Sequence, residues 1–171
     1  MRIILVTGGA RAGKSRWAEE EAVRLAGEEV AYIATAEARD DEMANRIAAH
    51  RASRPSGWAT LEVPRRVPEA LSTAPQGLLL LDCLTLWVSN LLLDHENAIE
   101  TVHRRVDALL EEARARPGTL LVVTNEVGLG IVPDNPLGRA YRDLLGWANT
   151  RVARDAERVV LMVAGIPVRI R

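Results

Sequence analysis

Arg2-Ile3-Ile4-Leu5-Val6-Thr7-Gly8-Gly9-Ala10-Arg11-Ala12-Gly13-Lys14-Ser15 joins an uninterrupted apolar run to a glycine-rich turn, and a helix-like segment from Lys14 to about Ala26 follows at once. This order reads as strand, loop, helix. Gly8 to Ser15 satisfies G-x-x-x-x-G-K-[ST] between a buried strand and a helix, the setting in which that pattern has a physical meaning. Glycines permit a backbone path whose N–H groups converge on a triphosphate, and the start of the next helix adds partial positive charge. Lys14 is expected to reach the β- and γ-phosphates. The Ser15 hydroxyl is expected to bind Mg²⁺, which favours oxygen ligands shared with phosphate and water. The competing reading is a glycine-rich turn that matches by chance, and the flanking strand and helix weigh against it.

Outward from this stretch, Val30 to Ala34 repeats the strand signal, and Asp40-Asp41-Glu42 places acids where a helix start favours them, with that helix running to about His50. Pro55, Gly57 and Pro64 predict an irregular stretch holding a short strand near Thr60 to Val63. Leu78 to Leu81 and Leu120 to Val123 are apolar runs suited to strands buried on both faces of a parallel sheet. Between them Ile99, Val102, Val106, Leu109, Leu110 and Ala113 follow a helical period that Pro117-Gly118 stops. Asn135-Pro136 is a cap and first-turn pair, and Ala140, Tyr141, Leu144, Leu145, Ala148 and Val152 mark the apolar face beyond it. Val159 to Val163 closes the sheet, with Val168 to Ile170 as an edge strand that tolerates Pro167. No linker, repeat or composition shift divides residues 1–171, which predicts a single domain. The expected fold is α/β: a three-layer α/β/α, P-loop NTPase-like (RecA-like) domain with a mostly parallel central sheet and its ligand site at the carboxyl ends of the strands.

The 171 residues are 48% hydrophobic and 26% charged, which is the composition of a globular chain and not of a disordered one. A net charge of -1 supplies no field for holding nucleic acid, so no nucleic-acid partner is expected. Cys83 is the only cysteine, which excludes an internal disulfide and fits a reducing compartment. The apolar runs are too short for a signal peptide core or a membrane span, and a soluble, cytoplasmic protein is expected. No His/Cys/Asp spacing suggests zinc. Trp17, Trp58, Trp87 and Trp147 read as packing residues, and His95 and His103 as surface residues.

Asp82 ends the Leu78 to Leu81 strand. It reads either as the carboxylate that holds the magnesium ion or its water shell, or as a cap for the next helix. His50 lies among Arg46, Arg51 and Arg54 at the end of a predicted helix. Two readings stand there. Guanidinium groups disfavour imidazolium, leave a lone pair for attack and neutralise a phosphoryl group, or the cluster is a solvated C-terminal turn.

Larger motifs accompany these: Thr7 to Arg11 leading into Gly13-Lys14-Ser15; Ile33 to Ala36; Asp41-Glu42-Met43 with Arg46-Ile47 and His50; and Arg54-Pro55 with Trp58. Leu81 to Thr85, Val123 to Gly128 and Gly130 to Pro133 complete the set. In these motifs, over nearly its whole length, the chain resembles the bifunctional adenosylcobinamide kinase / adenosylcobinamide-phosphate guanylyltransferases of cobalamin biosynthesis. The resemblance implies ATP- or GTP-dependent phosphorylation of the adenosylcobinamide side-chain hydroxyl, then transfer of GMP from GTP to give adenosylcobinamide-GDP. It implies that His50 carries the guanylyl group, which resolves the two readings above. It further implies that Gly8, Gly9, Ala10, Arg11, Ala12, Gly13, Lys14 and Ser15 hold triphosphate. Thr35, Ala36, Glu37, Arg51, Ala52, Ser53 and Arg54 would line the nucleotide, and Glu62 would contact guanine or ribose.

Two positions depart from that pattern. Asp82 stands where some relatives carry glutamate, and Ala12 replaces a serine of the family loop while leaving the backbone cradle intact. Asn125 and Glu126 read either as groups that orient water or substrate or as a plain turn. A homotrimer is carried over as an expectation. The rival functions are a P-loop small-molecule kinase that moves only the γ-phosphate, and a nucleotide-gated module or RecA-like motor, against which the short chain and near-neutral charge argue.

Overall fold

A computed structural model describes residues 1–52, 54–94 and 97–171, so Ser53 and His95 lie outside the described residues. The strands are β1 (Arg2–Gly8), β2 (Val30–Ala34), β3 (Ala59–Glu62), β4 (Leu78–Asp82), β5 (Thr119–Val123), β6 (Arg158–Val163) and β7 (Ile166–Arg169). The α-helices are α1 (Lys14–Ala26), α2 (Asp41–Ala52), α3 (Val67–Thr73), α4 (Leu84–Asp94), α5 (Ala98–Ala115) and α6 (Pro136–Asp155). One sheet runs in the order β3-β2-β4-β5-β1-β6-β7, parallel except for the antiparallel pair β6–β7 at one edge.

The apolar runs become strands because both of their faces are covered. Ile3 and Leu5 pack with Leu79, Leu81, Leu120 and Val122 under residues of α3, α4, α5 and α6. The alternate residues Ile4, Val6, Leu78, Leu80, Leu121 and Val123 pack with Ala18 and Ala22 of α1 and with Trp58. Period-two alternation thus splits β1, β4 and β5 between two apolar layers. Helix α2 belongs to neither layer: none of its residues is buried.

Some expectations need correction. The stretch before β4 contains α3, whose Pro68 sits in the first turn, where a missing N–H breaks no helical bond. Ile99 is 56% exposed because Ala98 and Thr101 take the inward positions at the start of α5. His103 is half-buried, its ring 3.9 Å from that of Trp147, so it is not a plain surface residue. The packing reading of the tryptophans holds: Trp58 and Trp87 are core, and the half-buried Trp147 and Trp17 pack against it. Asn135 caps α6 as expected, its Oδ1 accepting from Gly138 N at 2.7 Å.

Glu21 joins α1 to β6. Its carboxylate accepts from Arg24 at 2.7 and 2.8 Å and from Arg158. The Arg24 hydrogen bond, then Arg158, outweigh burial and hold the Glu21 carboxyl at about 2 against an ordinary 4.5. A carboxyl whose folded value is depressed adds stability above its unfolded value and loses it as pH falls toward the folded one. Thermal melts of Glu21→Gln are therefore expected to respond less than those of wild type between about pH 4.5 and about 2. Equal slopes would show that the pair contributes nothing to acid sensitivity.

Candidate active site

The parallel strands β1, β2, β4 and β5 all deliver their carboxyl ends to one cleft of about 790 Å³. Ala10, Arg11, Lys14 and Ser15 line it from the loop after β1, and Ala36 and Glu37 from the segment after β2. Glu62 comes from β3 and Asp82 from β4. Helix α2 supplies Met43, Arg46, Ile47, His50 and Arg51, a stripe at helical spacing, and Arg54 follows just beyond. The lining holds five cationic side chains (Arg11, Lys14, Arg46, Arg51, Arg54) against three carboxylates (Glu37, Glu62, Asp82), a balance that suits a polyphosphate.

Gly8, Gly9, Ala12 and Gly13 contribute backbone to the loop. At Gly8 the φ is +146°, and a Cβ would meet Met162 O at 2.5 Å, so only glycine fits between β1 and β6. Gly13 takes the left-handed conformation at the start of α1. Lys14 is 8% exposed and its Nζ donates to Gly9 O at 2.6 Å, so the loop carbonyl holds the ammonium. Burial pushes the Lys14 ammonium below its usual value, and Arg46 acts in the same direction against Cys83 and Asp82.

One oxygen of Asp82 accepts from the Tyr32 hydroxyl at 2.6 Å, and the Arg54 guanidinium lies 3.3 Å from the Tyr32 ring centroid. At the start of α4 it is Cys83 Sγ that accepts from Leu86 N, at 3.4 Å. Burial and the nearby Asp82 push the Cys83 thiol up to about 12, which leaves it protonated and unreactive. Thr35 is fully buried: its Oγ1 donates to Cys83 O and accepts from Cys83 N, both at 2.8 Å, so it braces the loop after β4. Glu37 accepts from Arg65 and from Arg39, the latter at 2.9 Å, and those pairs hold its carboxyl below the usual range. Glu62 pairs with Arg51 at 3.4 Å across an exposed edge. Ala52 is exposed at the end of α2 and does not line the cleft.

The sequence reading did not single out Tyr32, because a phenol inside a buried strand looks like core. It also missed the clamp of Thr124, whose Oγ1 donates to Asn149 Oδ1 at 2.7 Å behind the cleft wall.

Ser15 and Asp82 offer a hydroxyl and a carboxylate to the same cleft, hard oxygen donors of the kind Mg²⁺ takes beside phosphate and water. Among the described residues no group of three or more His, Cys, Asp or Glu side chains is placed to hold a metal ion. Among the described residues, too, no helix is long and apolar enough to cross a membrane.

Comparison with known proteins gives the family of the chain. The family model described as "Cobinamide kinase / cobinamide phosphate guanyltransferase" matches residues 4–170. The chain is 47% identical to the bifunctional adenosylcobalamin biosynthesis protein CobP of Pseudomonas aeruginosa, over 98% of this chain and 96% of that one. It is 44% identical to the bifunctional adenosylcobalamin biosynthesis protein CobU of Salmonella typhimurium, over 99% of each. Among solved structures, an ATPase of a type III secretion system aligns with a TM-score of 0.56 at 15% identity, covering 95% of this chain and 51% of that one. That likeness carries the fold alone. With a match spanning almost every residue and relatives this similar end to end, the chain belongs to the cobinamide kinase / cobinamide phosphate guanyltransferase family.

Proposed function

We propose that this protein carries out both reactions of its family in the one cleft, with the loop Gly8 to Ser15 as the triphosphate cradle and His50 as the guanylyl carrier. The observation that carries the reading is that Lys14, Ser15, Asp82 and His50 line the same cavity. In the kinase step the side-chain hydroxyl of adenosylcobinamide attacks the γ-phosphorus of ATP or GTP, and the nucleoside diphosphate leaves with the bond electrons. In the second step a ring nitrogen of His50 attacks the α-phosphorus of GTP, the α–β P–O bond breaks and pyrophosphate leaves. An oxygen of adenosylcobinamide phosphate then attacks that phosphorus, the P–N bond breaks, and adenosylcobinamide-GDP forms. The covalent route divides one difficult displacement into two, and a phosphoramidate is reactive enough to pass GMP onward.

Each residue has a definite task in this reading. Lys14 and the loop amides hold the β- and γ-phosphates in line, and Arg46, Arg51 and Arg54 offset charge near His50. Glu62 favours guanine by accepting from its N1 and N2 hydrogens, once released from Arg51. Ala36 and Glu37 shape the nucleotide wall and the buried Thr35 braces it from behind, and Ser15 and Asp82 would hold Mg²⁺, which when bound neutralises phosphate charge. Cytoplasmic location and a homotrimer belong to the same proposal.

The test is incubation of wild-type protein with GTP labelled at the α-phosphate. We expect acid-labile, alkali-stable label on the protein, in step with pyrophosphate release. Absence of label would sink the covalent step, and a protein that phosphorylates adenosylcobinamide but also forms no adenosylcobinamide-GDP is a plain P-loop kinase.

A further inference from the structure

Strand β5 lies between β1 and β4, so its carboxyl end emerges between the loop that carries Lys14 and the strand that carries Asp82. A nucleotide with its terminal phosphate at Lys14 would present its γ-phosphorus to that point. The first residues beyond β5 are Thr124 and Asn125, and both line the cleft.

The backbone there is fixed from two sides. Thr124 N donates to Val6 O at 2.9 Å, and Glu126 N donates to Gly8 O at 3.2 Å, which ties the turn to the phosphate loop. From behind, Asn149 Nδ2 donates to Asn125 O at 2.8 Å, while Thr124 Oγ1 donates to Asn149 Oδ1. The Asn125 carboxamide takes no part in this network. Its Oδ1 is shielded and has no hydrogen-bond partner among the described residues. The cleft's carboxylates differ, since Asp82 accepts from Tyr32, Glu37 from Arg65 and Arg39, and Glu62 pairs with Arg51.

A shielded acceptor without a donor is costly, and a rigid backbone beneath an unengaged side chain is how a binding group is held ready. The terminal torsion of asparagine is soft, so rotation turns Oδ1 into the cleft without breaking any bond named above. Phosphate oxygens carry no hydrogen to satisfy it. An alcohol does, and the kinase step brings one to this place.

We infer that Asn125 is the group that binds the acceptor hydroxyl for phosphoryl transfer: its Oδ1 accepts from the adenosylcobinamide hydroxyl and aims that oxygen at the γ-phosphorus. The inference rests on the reading that the γ-phosphate sits against Lys14. The O–P bond forms as the bond to the β-phosphate oxygen breaks. ADP or GDP leaves with that electron pair, and the hydroxyl proton passes to a phosphoryl oxygen and then to water. The carboxamide orients the hydroxyl but takes no proton.

The experiment compares Asn125→Leu and Asn125→Ala with wild type in three assays: kinase kinetics with adenosylcobinamide as the varied substrate, the nucleotide KM, and labelling of the protein by α-phosphate-labelled GTP. Loss of one substrate hydrogen bond predicts a fall of about 10- to 100-fold in kinase kcat/KM for adenosylcobinamide, shared between KM and kcat, with nucleotide KM and labelling within about threefold of wild type. Unchanged kinase kinetics, or an equal loss in labelling and nucleotide KM, overturns the assignment. Two variants of different size guard against one that fails to fold. If even wild type takes no label, the His50 intermediate fails, and the kinase comparison still decides the role of Asn125.

Discussion

His50→Ala is expected to abolish formation of adenosylcobinamide-GDP while leaving phosphorylation of adenosylcobinamide largely intact. In the proposed mechanism the imidazole is the nucleophile of the second reaction alone, so its removal would delete the covalent route and cost on the order of 10³-fold or more in guanylyl transfer. Little structural damage should accompany it, because α2 has no buried residue and His50 is only half-buried in its last turn. The measurement is a pair of assays on one preparation: labelled phosphate from the γ-position of ATP into adenosylcobinamide, and labelled GMP from GTP into protein and product. Retention of protein label in the variant moves the nucleophile elsewhere. Loss of both activities without loss of fold makes the imidazole part of the phosphate site.

Lys14→Ala should instead damage both reactions, by on the order of 10²- to 10³-fold each, since both need the same triphosphate held in line and its charge offset. Lys14 is 8% exposed and its ammonium rests on Gly9 O, a partner it would exchange for phosphate under the proposed reading. Burial lowers its proton affinity, so charge at this position costs folding free energy below its unfolded value of 10.5. The variant is therefore expected to melt no lower than wild type, which separates loss of function from loss of fold. Guanylylation at full rate in this variant would mean that the two reactions do not share one cradle.

The fold was legible where physics is local. Val30 to Ala34 and Lys14 to Ala26 are read from the sequence with the bounds the structure has, because an apolar run must be covered on both faces and a glycine-lysine-serine turn must open a helix. Helix α3 was not legible: Pro64 and Pro68 look like breakers until Pro68 is seen in a first turn. Of the site, the loop around Lys14 could be read from residue types and their setting. His50 could not, since a histidine among arginines at a helix end has a bland reading as good as the sharp one, and only the family motif favoured the latter. Asn125 was legible only as a choice between a substrate-orienting group and a plain turn, while Tyr32 and the approach of Asp82 to Lys14 depend on which strands become neighbours. Contacts between residues 50 or more positions apart leave no mark on local periodicity.

The placement of β5 between β1 and β4 has one more result. Adjacent strands would set the cationic loop and the acidic strand end about 4.8 Å apart, while one interposed strand doubles that to roughly 9.5 Å. At the shorter spacing Lys14 and Asp82 could quench each other as an ion pair, and the guest would have to break that pair before it could settle. At the longer one, each opposite charge finds a neutral host of its own, a carbonyl for the amine and a phenol for the acid. The extra strand thus acts as a gauge block that keeps the two charges apart.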